Sequence, residues 1–306
     1  MSSTIDINTT IKAGTIDSVF KEVTHSESLG LRNPAQLRLF HLKLDGDTFT
    51  DEGLYKCLRK NIGQYVYSRT RIAKFKEDDD EASIGLEAMQ LINEQRIKNP
   101  DLFGNMLGEI LLYAFFEEKL GAPKIFSKIE LDSLTSESFY DGIHLLKMDD
   151  TSFQMVFGTS YVEDQMDDAI DNVFLKIKNG LNQPKKGIAL VNDLVFAQSA
   201  DTVLADALSK IITPAPDAPD VDSAYGIFLC CSLGLDKSKY TVAEYKKLVE
   251  QKMVSNIHNY LPRIKKHIDD LGLSGRSFYI YVVPLDDATA DKTTIMKKVT
   301  GGAYGN

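Results

Sequence analysis

Two acidic residues in the middle third of the chain sit where a carboxylate needs a partner. Glu109 lies in the apolar helical stretch Leu107-Gly108-Glu109-Ile110-Leu111-Leu112, and Asp141 opens Asp141-Gly142-Ile143-His144-Leu145-Leu146. A carboxylate at the edge of an apolar segment is costly unless it is paired or binds a cation. The apolar run Phe153 to Phe157 follows and leads into Gly158-Thr159-Ser160-Tyr161, with Glu163 two residues further on. Carboxylates that converge from a helix and from strand ends suit phosphodiester hydrolysis. They hold Mg²⁺, which takes oxygen ligands and keeps several waters, and the bound ion lowers the pKa of an attacking water. Each residue also has a plain structural reading. Asp-Gly is a common turn pair, Glu109 fits a solvated helix face, and Glu163 to Asp168 fits an acidic helix start matched to the helix dipole. The order helix Glu, strand Asp, apolar strand, Gly is what joins them. His144 is an odd number of residues from Asp141, so it faces the other side of the strand and reads as structural.

These side chains need elements to position them. Leu37 to Leu44 alternates as a strand, ended by the turn Asp45-Gly46-Asp47. Helical spacing covers Asp51 to Arg69 and Glu81 to Lys98, and a third helix carrying Glu109 runs to about Leu120, with Pro100 suited to its first turn. Three strands are expected at Lys124 to Leu131, Phe139 to Lys147 and Ser152 to Thr159, with short connections that favour antiparallel pairing. A helix from about Val162 to Lys178 stops at Asn179-Gly180, and Ser199 can cap a short helix through Ile212. Then come a strand, Tyr225 to Leu233, a long helix opened by a Thr241/Glu244 capping box, and a last strand, Ser277 to Pro284. The long helix carries Val242, Tyr245, Leu248, Val249, Ile257, Leu261, Ile264 and Ile268 on one side, a face suited to packing on the sheet. The order implies an α/β (α+β) domain, a central mixed sheet flanked by helices with a helical N-terminal part. Residues 1–34 read as a polar N-terminal segment and 35–306 as a single domain, with a surface loop near 213–222.

Composition bounds the partners. Of 306 residues, 43% are hydrophobic and 26% charged, the balance of an ordinary globular protein. The net charge of −9 argues against strong nonspecific DNA binding by this chain alone, so a local basic groove or a partner must supply it. No apolar run is long enough to span a bilayer, and the first residues lack the pattern of a signal peptide. Three cysteines, two of them adjacent in an apolar strand, read as buried thiols. A cytoplasmic location without membrane contact is expected.

These motifs and their order resemble the HamA (anti-bacteriophage protein A) family of the two-gene Hachiman defence system of bacteria. The resemblance rests on Gly108-Glu109-Ile110-Leu111-Leu112-Tyr113, on Asp141-Gly142-Ile143-His144-Leu145-Leu146, on Val156-Phe157-Gly158 and on the C-terminal strand, long helix and strand. It covers most of the chain from about residue 35. It implies a PD-(D/E)xK restriction-endonuclease-like fold and a metal-dependent DNA nuclease effector, using Mg²⁺ or Mn²⁺ and held in check by a superfamily 2 helicase encoded nearby. The family's metal-binding Glu and Asp map to Glu109 and Asp141. Its Gly-Glu-Ser-Lys-like third motif maps to Gly158-Thr159-Ser160-Tyr161, so Thr159 and Tyr161 stand at the Glu and Lys positions. Glu163 could return the missing carboxylate, and Lys128, Lys176 or Lys178 the missing amine. The alternative is a non-enzymatic member that serves as a regulatory or DNA-docking subunit of the helicase. A different enzyme chemistry on the same fold has no motif to support it.

Overall fold

The computed structural model describes residues 8–98, 103–134, 139–149, 152–181 and 220–301. In chain order, a short helix α1 (Thr15–Val19) leads into β1 (Phe20–Val23) and β2 (Ala35–Leu42). A small hairpin follows, β3 (Leu44–Asp45) and β4 (Thr48–Phe49), turning at Gly46 with φ +63° as its Asp-Gly-Asp sequence demands. Three helices come next: α2 (Asp51–Val66), α3 (Arg69–Glu77) and α4 (Glu81–Lys98). Then α5 (Met106–Phe115) runs on through a π-helical turn, Phe116–Leu120. The remainder is β5 (Lys124–Ser127), α6 (Lys128–Leu134), β6 (Gly142–Lys147), β7 (Ser152–Val162), α7 (Met166–Leu181), β8 (Asp220–Ser232), α8 (Val242–Asp270), β9 (Ser277–Leu285) and α9 (Ala288–Val299).

Seven of the strands form one mixed sheet, in the order β1-β2-β9-β8-β7-β6-β5. The central pairs β2/β9, β9/β8 and β8/β7 are parallel, and β1/β2, β7/β6 and β6/β5 at the flanks are antiparallel. Central strands covered on both faces read as continuous apolar runs, and all nine residues of β9 are buried. Helix α5 packs on β7, β8 and β6. On the opposite face, Phe174 of α7 meets Phe278 of β9, and His267 of α8 stacks on Phe174 at 4.8 Å. Helix α8 buries Tyr245, Val249, Met253, Ile257, Leu261, Ile264 and Ile268, the stripe its spacing predicts, although Val242 in its first turn is exposed. Its capping box is present, with the Thr241 backbone N–H donating to Glu244 Oε2 at 2.9 Å.

Several elements differ from the sequence expectation. The strand expected over Lys124 to Leu131 ends at Ser127 and becomes α6, so Lys128 begins a helix instead of lying on a strand. Glu130 is the physical reason: its Oε2 accepts from the Ser127 N–H at 2.8 Å and from the buried Lys124 ammonium at 2.9 Å, turning the chain. The helix expected to stop at Asn179-Gly180 reaches Leu181, the last described residue of that segment, with Gly180 itself helical. A side chain there would collide with the phenol of Tyr140, so the glycine serves close packing. Residues 8–34 hide α1 and β1, whose short apolar set shows no long period. They are tied down by the π-turn: buried Glu117 accepts from Thr10 Oγ1 at 3.0 Å and the Ile11 N–H at 3.3 Å, and Glu118 from the Ile16 N–H at 2.7 Å. Helices α3 and α9 are further elements that the sequence reading lacks. The expected cap at Ser199, the helix through Ile212, residues 213–219 of the expected loop and Pro100 lie outside the described residues, while 220–222 are not loop but the start of β8, paired with β7.

The contact between α5 and the sheet is built on glycines. A Cβ on Gly158 would lie 2.8 Å from Leu112, one on Gly108 3.0 Å from Val162, and one on Gly226 would enter the ring of Phe116. Overpacking of this kind costs about 1–3 kcal/mol or more. Gly226→Ala is therefore expected to lower unfolding stability by at least about 1–3 kcal/mol in a denaturant titration. Gly275→Ala, where no atom lies within 4 Å of the new methyl, is the control and should change it little.

Candidate functional site

Asp141 ends the approach to β6, where its backbone N–H donates to the Gly158 carbonyl at 2.7 Å. That bond places the carboxylate beside β7, and the side chain is fully buried. Oδ2 accepts from the Ser160 backbone N–H at 2.6 Å and from Ser160 Oγ at 3.0 Å. The Lys176 ammonium donates to Oδ2 at 2.7 Å and to Oδ1 at 3.0 Å. Lys128, the first residue of α6, brings its Nζ to 4.0 Å of Oδ1. Two ammonium groups from two helices thus stand at one buried aspartate.

Glu109 occupies the first turn of α5 and is buried with it. Its Oε2 accepts from the phenol of Tyr65 at 2.8 Å, a residue buried at the end of α2. Burial, and then repulsion from Asp141, push the Glu109 carboxyl up to about 7, against the pull of Lys128, Lys176 and Tyr65. The same fields raise Lys128, where burial opposes the charge but Asp141 and Glu109 outweigh it. The two carboxylates therefore sense each other and share their counter-ions. After burial, Asp141 is the charge that most raises Glu109.

The remaining candidate positions separate. Ser160 turns toward α5, close to Gly108, and by strand alternation Thr159 and Tyr161 turn to the other face. Thr159 is completely buried and its hydroxyl has no hydrogen-bond partner. Tyr161 places its ring 5.6 Å from the Lys176 ammonium. Glu163 is engaged elsewhere, accepting from Thr289 Oγ1 of α9 at 3.1 Å and lying 3.9 Å from the Lys292 ammonium. Lys178 is exposed at the end of α7. His144 is fully buried, its Nδ1 2.9 Å from the Ala122 carbonyl and its ring 5.1 Å from that of Phe116. Burial pushes it down to about 3, so it stays neutral, the structural role its strand face predicts.

Sequence reading missed Tyr65 and Ser160. Tyr65 belongs to the buried stripe of α2 with Leu54, Leu58 and Ile62, and nothing local distinguishes it from core. A second buried amine holds this corner: Lys124 Nζ donates to the carbonyls of Tyr65 at 3.0 Å and Tyr67 at 2.9 Å, fixing the end of α2 where the phenol starts.

Among the described residues no three His, Cys, Asp or Glu side chains gather as a metal-ligand group. A site for Mg²⁺ does not need three, because that ion is commonly held by one or two carboxylates plus substrate phosphate and water. Glu109 and Asp141 are hard oxygen donors of the right kind and fit such an ion in that reduced form, whereas the unpartnered Thr159 hydroxyl lies on the other face of β7.

Glu109 also sets a pH dependence. Its folded pKa of about 7 exceeds the ordinary 4.5, so its stabilising protonation is complete below pH 4.5 and lost as pH rises through about 7. Glu109→Gln keeps an acceptor for Tyr65 and carries no charge. It is expected to be more stable than the wild type by about 1–3 kcal/mol at pH 8, the gain shrinking toward pH 5, as measured by urea unfolding across that range.

No curated protein matches the chain. A family model described as HamA matches residues 17–299, nearly the whole of it. The match contains the α5 glutamate, the aspartate before β6, the β7 motif and the C-terminal strands. The chain therefore belongs to the HamA family, and through it to the proteins of antiphage defence.

Proposed function

We propose that this chain is a metal-dependent DNA nuclease effector that hydrolyses phosphodiesters at Glu109 and Asp141. The observation that carries the reading is the convergence of these two buried carboxylates, from a helix and a strand end, with an ammonium 2.7 Å from Asp141. Asp141 and Glu109 would hold Mg²⁺ or Mn²⁺. When bound, the ion supplies charge stabilisation at the phosphate and a more acidic attacking water. The protein's own groups do the rest. Ser160 and Lys176 fix the rotamer of Asp141, and Tyr65 fixes that of Glu109. With a net charge of −9, DNA affinity comes from a partner, and a superfamily 2 helicase encoded nearby is the partner that the family membership favours.

One observation favours a second reading. Thr159 and Tyr161 are neutral where the family motif carries an acid and a base, and the Asp141 oxygens already have donors. On that reading the chain keeps the fold as a non-enzymatic subunit of the helicase. Cleavage of plasmid and linear DNA with Mg²⁺ or Mn²⁺ separates the two, using wild type and Asp141→Ala with and without the helicase. Metal-dependent cutting that falls by at least about 10²-fold in Asp141→Ala is the expected result. Phage protection in cells that survives Asp141→Ala, with no cutting under any condition, would sink the nuclease reading and leave the subunit.

A further inference from the structure

The strand position that the family motif gives to lysine holds Tyr161, yet an ammonium arrives at the same corner from another element. Lys176 Nζ lies 2.7 Å and 3.0 Å from the two oxygens of Asp141, 3.0 Å from the Ser160 carbonyl and 5.6 Å from the centre of the Tyr161 ring. Its side chain is 28% exposed, so the ammonium is held in place without being sealed in. By contrast Lys124, at 2%, is locked inside against Glu130.

We infer that Lys176 is the amine of this site, delivered from α7 instead of β7, and that Tyr161 is its positioning residue. The inference rests on the nuclease reading above. A developing negative charge requires a cation at a point in space, and no particular element has to carry it. A phenol is neutral near pH 7 and cannot provide that charge. Its ring face does attract an ammonium, most strongly where water is partly excluded. Position 161 therefore exchanges a cation for a surface that seats one, and α7 supplies the cation. Lys128 is the rival amine, but it is 4.0 Å from Asp141 and shares its charge with Asp132 at 3.6 Å. In the hydrolysis, the water oxygen bonds to phosphorus as the ester P–O bond breaks. The electron pair leaves with the ester oxygen, which takes a proton from solvent to become the alcohol, while the attacking water gives one proton to solvent. Lys176 contributes only charge and position.

The test returns the amine to the strand. Single-turnover cleavage of plasmid DNA with Mg²⁺, in the presence of the neighbouring-gene helicase, is compared for wild type, Lys176→Met, Tyr161→Ala, Lys128→Met and the double variant Tyr161→Lys/Lys176→Met. The thermal midpoint of each is recorded alongside. Lys176→Met is expected to slow cleavage by about 10²–10³-fold and to lower the midpoint, because Asp141 loses its closest counter-ion. The double variant should recover both, with at least about tenfold in rate. Tyr161→Ala should lower the rate constant with little change in the DNA concentration for half-saturation, and Lys128→Met should slow cleavage less than Lys176→Met. Lys176→Gln is measured beside the methionine variant, and if neither folds, the double variant decides alone by being folded and active or folded and inactive. Wild-type rates in both Lys176 variants would overturn the inference while leaving the nuclease reading intact. Recovery of the midpoint without recovery of cleavage would also overturn it, marking Lys176 as a structural counter-ion. A wild type that never cuts would overturn the nuclease reading and this inference together.

Discussion

Everything at the candidate site depends on how closely helix α5 approaches the sheet. Gly108 on the helix faces Ser160 and Val162, and Gly158 and Gly226 on the strands face Leu112 and Phe116. A side chain at any of these points would push the layers apart by a fraction of the width of a methyl group. That is enough to break a 2.8 Å hydrogen bond or a 2.6 Å one, and Glu109 and Asp141 are each held by such a bond. Protein interiors transmit such strain because they are packed like crystals. The glycines are thus part of the site, although none of them carries a functional group.

Close approach creates an electrostatic problem that the rest of the molecule answers. Two carboxylates inside one apolar layer repel each other and have lost their water. The structure offsets this with ammonium groups from α6 and α7, a phenol from α2 and a backbone N–H from β7. Each donor comes from a different element, so the elements are fixed relative to one another by the charges they share. The remaining penalty appears in Glu109, whose pKa is raised toward neutrality. Groups of this kind, desolvated and beside a specific charge partner, occur both at functional sites and in buried ion-pair networks.

Much of the architecture was legible because it follows from period and punctuation. The Asp45-Gly46-Asp47 turn, the antiparallel β5, β6 and β7, the capping box of α8 and its apolar stripe all follow from local rules. His144 was readable as structural from one fact, its odd spacing from Asp141. The failures also have local causes. Lys124 to Leu131 looks like a strand because Lys124-Ile125-Phe126 begins as one. What ends it is a buried ion pair between Lys124 and Glu130, which spacing cannot reveal. Asn179-Gly180 looks like a helix stop because glycine has two uses, and only the position of Tyr140 shows which one applies.

The sequence by itself pointed to the family and to the mixed α/β class, and it singled out Glu109 and Asp141 as candidates. All three rest on residue type and order, which survive without coordinates. It also showed that Thr159 and Tyr161 are not an acid and a base. Only the tertiary structure decided which charged groups reach Asp141. Glu163 lies within two residues of Tyr161 yet is committed to α9, whereas Lys176, fifteen positions further along the chain, has its ammonium at Asp141. Sequence distance carries no information about such a choice. The ammonium is placed by the register of α7 against β7, and that register is set by the burial of Ile170, Val173, Phe174 and Ile177, not by any property of the lysine.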